Sequence, residues 1–142
     1  MHNKLFLVDT SAWIFALRKD SIPHVRNRID LLLKDDLVIT TGMIKLEIVS
    51  GAKSEKERKR LKGRFEALDS VETDDQLWES ACELGFKLRR KGLTIPYTDI
   101  LIAACALKAE SIVLHADAHF DLMANHIKME VESLVREVAT PL

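Results

Sequence analysis

Little in this chain points to a secreted or membrane-bound protein. It holds two cysteines in 142 residues, Cys82 and Cys105. Both fall inside helix-like patterns, so no disulfide framework of the secreted kind is visible. The longest apolar run, Ile100 to Leu107, is far short of the ~20 residues that a membrane-spanning helix needs. Leu5 to Val8 is too short for a signal sequence and is closed by Asp9. These absences set the expectation of a reduced, cytoplasmic protein. Neither sign of charge dominates: 21 Lys and Arg face 22 Asp and Glu, a net charge of -1. Any basic binding surface must therefore be local. Aromatic residues make up only 6%, so stacking on nucleic-acid bases is not advertised. A glycine–lysine phosphate loop is missing, which excludes a Walker-type nucleotide site. No internal repeat, low-complexity segment or linker divides the chain. The expectation is one domain over residues 1–142, with a core at about 4–131 and a tail at 132–142.

What is present alternates between strand-like and helix-like segments. Leu5 to Val8 is short and wholly apolar, as in a strand buried on both faces of a parallel sheet. Ser11 to Leu17 reads as a short helix, and His24 to Leu33 as another with Val25, Ile29, Leu32 and Leu33 on one face. Leu37 to Thr40 is a second strand. Thr41 to Ala52 follows as a helix, with Ile44, Ile48 and Val49 inward and Glu47 embedded among them. Ser54 to Leu68 is a charged helix, and Ser70 to Glu72 a short strand. Asp75 to Lys91 is a long amphipathic helix carrying Trp78, Ala81, Cys82, Leu84, Gly85 and Leu88, stopped by Gly92. Thr98 offers a cap for an apolar helix over Ile100 to Ala109. Ser111 to His115 is a third clear strand, followed by a short helix through Met123. A weak strand is expected near Ile127 to Met129, and helical spacing from Val131 to Val138. The whole predicts a three-layer α/β domain with a central, mostly parallel sheet flanked by helices.

In such a sheet, right-handed crossovers bring the carboxyl ends of the strands to one edge, where ligands are held. The acids can then be placed. Asp9 ends the first strand and Asp117 follows the third. Asp99 opens an apolar helix, and Glu47 lies in the helix after the second strand. With the first and third strands as neighbours, four carboxylates converge on one crevice. Crowded carboxylates repel and raise each other's pKa unless a cation neutralises them. Hard divalent ions prefer oxygen ligands. Held by carboxylates, such an ion polarises a phosphoryl oxygen and lowers the pKa of an attacking water. Phosphodiester hydrolysis suits an acid cluster of this kind. A phosphoacceptor signalling domain would instead show adjacent acids after the first strand and a lysine after a late one. A haloacid-dehalogenase-like phosphatase would have a second Asp where Ser11 stands.

Four segments carry a resemblance: LVDTSAWI at 7–14, ITTGMIKLEIVSG at 39–51, IPYTDILIAACAL at 95–107 and IVLHADAHFDLMA at 112–124. Together, in this order, they resemble the PIN-domain ribonucleases, and among them the VapC-like toxins of prokaryotic toxin–antitoxin pairs. The similarity runs from about Lys4 to about Val131. It implies a Mg²⁺- or Mn²⁺-dependent endoribonuclease, a homodimer, and inhibition by a small cognate antitoxin. The acids it implies are Asp9, Glu47, Asp99 and Asp117. Asp9, Asp99 and Asp117 would hold the main ion, and Glu47 would act through water or a second ion. A water activated there would attack the scissile phosphate, leaving a 5′-phosphate and a 3′-hydroxyl. One departure stands out: position 119, often acidic in the family, is His119 here. Asp121 is either an outer-shell acid or an exposed helix residue.

Each group has a plainer reading beside the functional one. Asp9 serves equally to cap a helix, Glu47 to face solvent, and Asp99 to complement a helix dipole. Thr10, Ser11 and Thr98 read as caps. His115 and His119 lack the companions of a zinc site and read as structural, or as contacts at the crevice rim. Basic residues cluster twice: Lys53, Lys56, Arg58, Lys59, Arg60, Lys62 and Arg64, then Lys87, Arg89, Arg90 and Lys91. An RNA backbone would be drawn to either. Glu55 and Glu57 offer the first cluster local partners instead. The second lies just upstream of Asp99, which makes Arg89, Arg90 and Lys91 the candidate RNA contacts. The non-catalytic alternative is an RNA- or partner-binding module of the same fold.

Overall fold

A computed structural model describes residues 4–139. The first strand, β1 (Phe6–Val8), is buried along its whole length. It can be so because strands flank it on both sides and helices cover both faces. The remaining elements are α1 (Thr10–Leu17), α2 (Pro23–Lys34), β2 (Val38–Thr41), α3 (Gly42–Ser50), α4 (Glu55–Glu66) and β3 (Asp69–Val71). After these come α5 (Asp75–Arg90), α6 (Tyr97–Lys108), β4 (Ile112–His115), α7 (Ala118–Ala124), β5 (Val131–Ser133) and α8 (Val135–Val138). The five strands form one sheet in the order β3-β2-β1-β4-β5. Every pairing is parallel.

Strand order runs outward from β1 in both directions, so the topological switch lies between β1 and β4. Their register, Phe6 with Ile112 and Val8 with Leu114, sets the ends of both strands level. The ladder continues one step further, where the Asp9 amide donates to the Leu114 carbonyl at 2.9 Å. Asp9 is thereby fixed at the mouth of the crevice.

The core closes around this pair. From Ile100 to Ala106 every residue of α6 is buried, which explains a helix with no polar face in its middle. Its alanines allow close approach to the sheet and to α5, whose Leu77, Ala81, Leu84 and Leu88 form one inward stripe. Gly92 ends α5 with φ of +81°, a left-handed turn that a side chain would oppose. Trp13 of α1 meets Phe65 of α4 edge-on, with ring centroids 4.9 Å apart. Among the described residues, no helix is long and apolar enough to cross a membrane.

Several local expectations are corrected. The strand expected at Ile127 to Met129 forms instead at Val131–Ser133, and the helix expected from Val131 is confined to α8. The open edge of β4 decides this. Its backbone groups need partners, and the Val113 amide donates to Glu130 while the His115 carbonyl accepts from Leu134. Thr98 is not a cap: α6 starts at Tyr97, and the cap position is Pro96 without a side-chain bond. Trp78 is 50% exposed and Leu33 37%, and Cys82 is exposed. The inward stripes of α2 and α5 are therefore narrower than the apolar pattern suggests.

Candidate functional site

Asp9 is the best buried of the four acids, at 4% exposure. It does cap a helix: its side chain accepts from the Ser11 amide at the start of α1. Thr10 and Ser11, read from the sequence as caps, do something else. The Ser11 hydroxyl donates to Asp9 Oδ2 at 2.6 Å and accepts from the Ala116 amide at 2.9 Å. One serine thus ties the end of β1 to the turn after β4. Both bonds to Asp9 fall on Oδ2, so Oδ1 is the oxygen not engaged by the helix start. The Thr10 hydroxyl reaches the other way and donates to Glu47 Oε1 at 3.0 Å.

Glu47 is exposed, not embedded. Ile44 and Ile48 take the inward face of α3, and Glu47, one position before Ile48, turns off that face toward Thr10. It borders a hollow lined also by Arg18, Lys19, Lys53 and Arg60. Asp99 lies in the first turn of α6 and is buried to 9% exposure. Asp117 caps α7, its Oδ1 accepting from the His119 amide at 2.9 Å.

His119 joins the last two acids. Its Nδ1 lies 3.1 Å from Asp99 Oδ2 and 3.2 Å from Asp117 Oδ1. One donor atom from each of Asp99, Asp117 and His119 falls within 4.8 Å of the other two. His119, expected to be structural or at the crevice rim, stands between two of the acids. The signal that could have found it is its place two residues beyond the acid at a strand end.

His115 stays structural. It is fully buried, and its Nδ1 accepts from the Asp117 amide at 3.2 Å. Its Nε2 comes within 3.1 Å of Asp121 Oδ1, but off the line of a good hydrogen bond. Burial depresses its pKa, so the neutral ring fits the observed acceptor role. Asp121 Oδ2 also accepts from the Ser133 hydroxyl at 2.8 Å. Asp121 thus engages the residues behind the turn that carries Asp117.

The electrostatics bind the four acids into one system. Burial raises the Asp9 pKa, and the Glu47 charge raises it further, against the opposing bonds from Ser11. Burial also pushes Asp99 up to about 6, helped by the charges of Asp117 and Asp9 and opposed by His119. Carboxylates so perturbed are short of positive charge. Their oxygens, with one imidazole nitrogen, are the donor chemistry of a divalent cation site. The residues fit such an ion.

The candidate RNA contacts lie on the end of α5. Arg89 donates to the Tyr97 hydroxyl at 3.3 Å, next to the start of α6. Arg90 stacks over Phe86 at 5.8 Å, and Lys91 donates to the His126 carbonyl at 2.9 Å. In the first basic cluster, Glu55 takes Arg58, and Glu66 takes Lys62 together with Lys45. That pairing is of the solvated-face kind.

Comparison with known proteins extends the picture. Residues 6–125 match the model of a family described as PIN domain. The chain is 31% identical over 132 residues to a VapC ribonuclease of Mycobacterium bovis, covering 91% of this chain and 98% of that one. It is 32% identical over 133 residues to ribonuclease VapC21 of Mycobacterium tuberculosis, with coverage of 92% and 94%. In fold it is similar to VapBC2 from Rickettsia felis, solved bound to a DNA fragment from their promoter. There the TM-score is 0.73 over 91% of this chain and 98% of that one, and at 21% identity the likeness concerns the fold.

Proposed function

The chain belongs to the PIN-domain family, and on that premise we propose that it is a divalent-metal-dependent endoribonuclease, the toxin of a toxin–antitoxin pair. The observation that carries the reading is the coupling of Asp9, Glu47, Asp99 and Asp117 at the carboxyl edge of β1 and β4. The Glu47 charge raises the Asp9 pKa, and the charges of Asp117 and Asp9 raise that of Asp99, where a cation would relieve them. The names of its relatives, VapC ribonucleases, supply the reaction and the substrate class.

In this mechanism Asp9, Asp99 and Asp117 would hold Mg²⁺ or Mn²⁺, and Glu47 would act through water or a second ion. When bound, the ion supplies Lewis acidity at the scissile phosphoryl group and a lowered pKa for the attacking water. The protein's own groups do the rest. Ser11 fixes the Asp9 carboxylate and the β4–α7 turn together, so the acids on either side keep their spacing. Thr10 fixes Glu47. Asp121 serves as an outer acid behind Asp117. Such positioning counts because small displacements in a reacting site cost rate steeply.

Cleavage of RNA in Mg²⁺ or Mn²⁺, and its absence in EDTA, is the expected result. A folded protein that binds RNA or a partner but cuts in neither ion would be the non-catalytic module instead. The proposal includes a cytoplasmic homodimer and a small cognate antitoxin. An antitoxin Arg entering the crevice would bring the cation that the acids need, through a planar fork suited to carboxylate.

Arg89, Arg90 and Lys91 are the proposed phosphate contacts. Replacing Arg89 and Arg90 together with Gln is expected to weaken RNA binding across sequences alike. The slope of log K against log salt should flatten by about one to two units. Binding titrations at four salt concentrations measure it, and an unchanged slope would return both residues to a solvated face.

A further inference from the structure

Among the described residues, His119 is the one nitrogen donor grouped with the acids, and its position is not that of a bystander. Its side chain is 41% exposed, open to the crevice, while the side chain of Asp99 alone is 13% exposed. The imidazole Nδ1 stands at 3.1 and 3.2 Å from oxygens of two acids on different elements, α6 and the cap of α7. Adjacent ligands of a six-coordinate ion with bonds of about 2.1 Å lie about 3 Å apart. Nδ1 now shares a hydrogen bond with Asp99 Oδ2 at this spacing, and an ion taking the proton's place would find Nδ1 and both oxygens spaced as neighbouring ligands. The backbone holds it there: the His119 amide is bound by the same Asp117 Oδ1. His115 is no rival, because it is fully buried and turned toward Asp121.

Resting on the metal-dependent reading above, we propose that His119 Nδ1 is a direct metal ligand that biases this site toward Mn²⁺ over Mg²⁺. The reason is donor chemistry. Mg²⁺ is a hard ion that takes oxygen ligands and gives up its waters reluctantly. First-row transition ions accept imidazole, and affinity for nitrogen donors rises along that row from Mn²⁺ onward. A site of carboxylates alone discriminates weakly between Mg²⁺ and Mn²⁺. One imidazole among them costs Mg²⁺ more than Mn²⁺, because Mg²⁺ would have to exchange an oxygen for a nitrogen or leave the ring outside its shell.

The test uses the full chain without antitoxin, with Mn²⁺ alone as probe and Mg²⁺ as competitor. Electron spin-echo spectroscopy of bound Mn²⁺ reports a directly ligated imidazole as ¹⁴N modulation. The wild type should show that modulation, and His119→Ala and His119→Asp should lack it. Titration should show Mn²⁺ affinity falling about tenfold or more in His119→Ala, while Mg²⁺ affinity moves less than about threefold. His119→Asp restores an oxygen donor, so its Mn²⁺-to-Mg²⁺ affinity ratio should fall below that of the wild type. Because neither readout is catalysis, a variant that binds Mn²⁺ without cutting RNA is still informative. Mn²⁺ bound to the wild type without ¹⁴N modulation overturns the ligand assignment and leaves the metal-dependent reading standing. Modulation that persists in His119→Ala overturns it as well, by pointing to another histidine. No Mn²⁺ binding at all overturns both.

Discussion

Asp9→Asn should abolish RNA cleavage, lowering it by on the order of a thousandfold, while the protein stays folded. Asn preserves the shape of the side chain and its capping role, since Asn is as good an N-cap as Asp. Its amide oxygen can still accept from the Ser11 amide and hydroxyl, the two bonds that Asp9 Oδ2 makes now. What disappears is a negative charge, and with it one oxygen donor of full strength. The same charge is costly without metal, because burial and Glu47 both raise the Asp9 pKa. The melting temperature of the metal-free variant should therefore equal or exceed that of the wild type. Asp9→Ala provides the contrast: it loses the cap and should cost about 1 kcal/mol as well as activity. Cleavage rates and melting curves of the three proteins are the measurements. Full activity in Asp9→Asn would remove Asp9 from the chemistry.

The place of Asp9 is legible in the sequence because it depends on short-range features. A wholly apolar run closed by an acid marks the carboxyl end of a buried strand, and right-handed crossovers bring such ends together. The neighbouring of β1 and β4 is a condition that the sequence leaves open and the sheet meets. Glu47 is a different case. Apolar neighbours in sequence suggest burial, but on a helix the adjacent positions point elsewhere, and Glu47 stands exposed beside Ile48. The role of Ser11 is hidden because its second partner, the Ala116 amide, is 105 residues away. The tie of His119 to Asp99 is hidden for the same reason: it spans 20 residues and exists only once α6 and α7 pack side by side. The place of β5 is not legible in the local pattern, because the open edge of β4 selects the residues that pair with it.

Asp99→Asn should raise the melting temperature in EDTA at neutral pH and remove most of the stabilisation by Mn²⁺. The Asp99 carboxyl titrates at about 6 in the folded chain, against an ordinary value of 3.8. A carboxyl whose folded pKa is raised binds its proton more tightly folded than unfolded. Its favourable contribution is complete below pH 3.8 and is lost as pH rises through about 6. Above that, metal-free wild type carries a penalty on the order of 2–3 kcal/mol. Asn does not titrate, so the advantage of the variant should grow between pH 4 and pH 6 and then level off. Mn²⁺ reverses the comparison. At a hundredfold excess over its dissociation constant it should stabilise the wild type by roughly 2.7 kcal/mol. The variant, lacking one charged ligand, binds the ion more weakly and gains less. A merely structural Asp99, complementing the positive end of α6, gives the opposite pattern. Its replacement would then melt lower in EDTA at pH 7 and keep the whole response to Mn²⁺. Four melting curves, two proteins with and without Mn²⁺, separate the two cases. The pH series in EDTA then shows whether the penalty belongs to the carboxyl that titrates near 6.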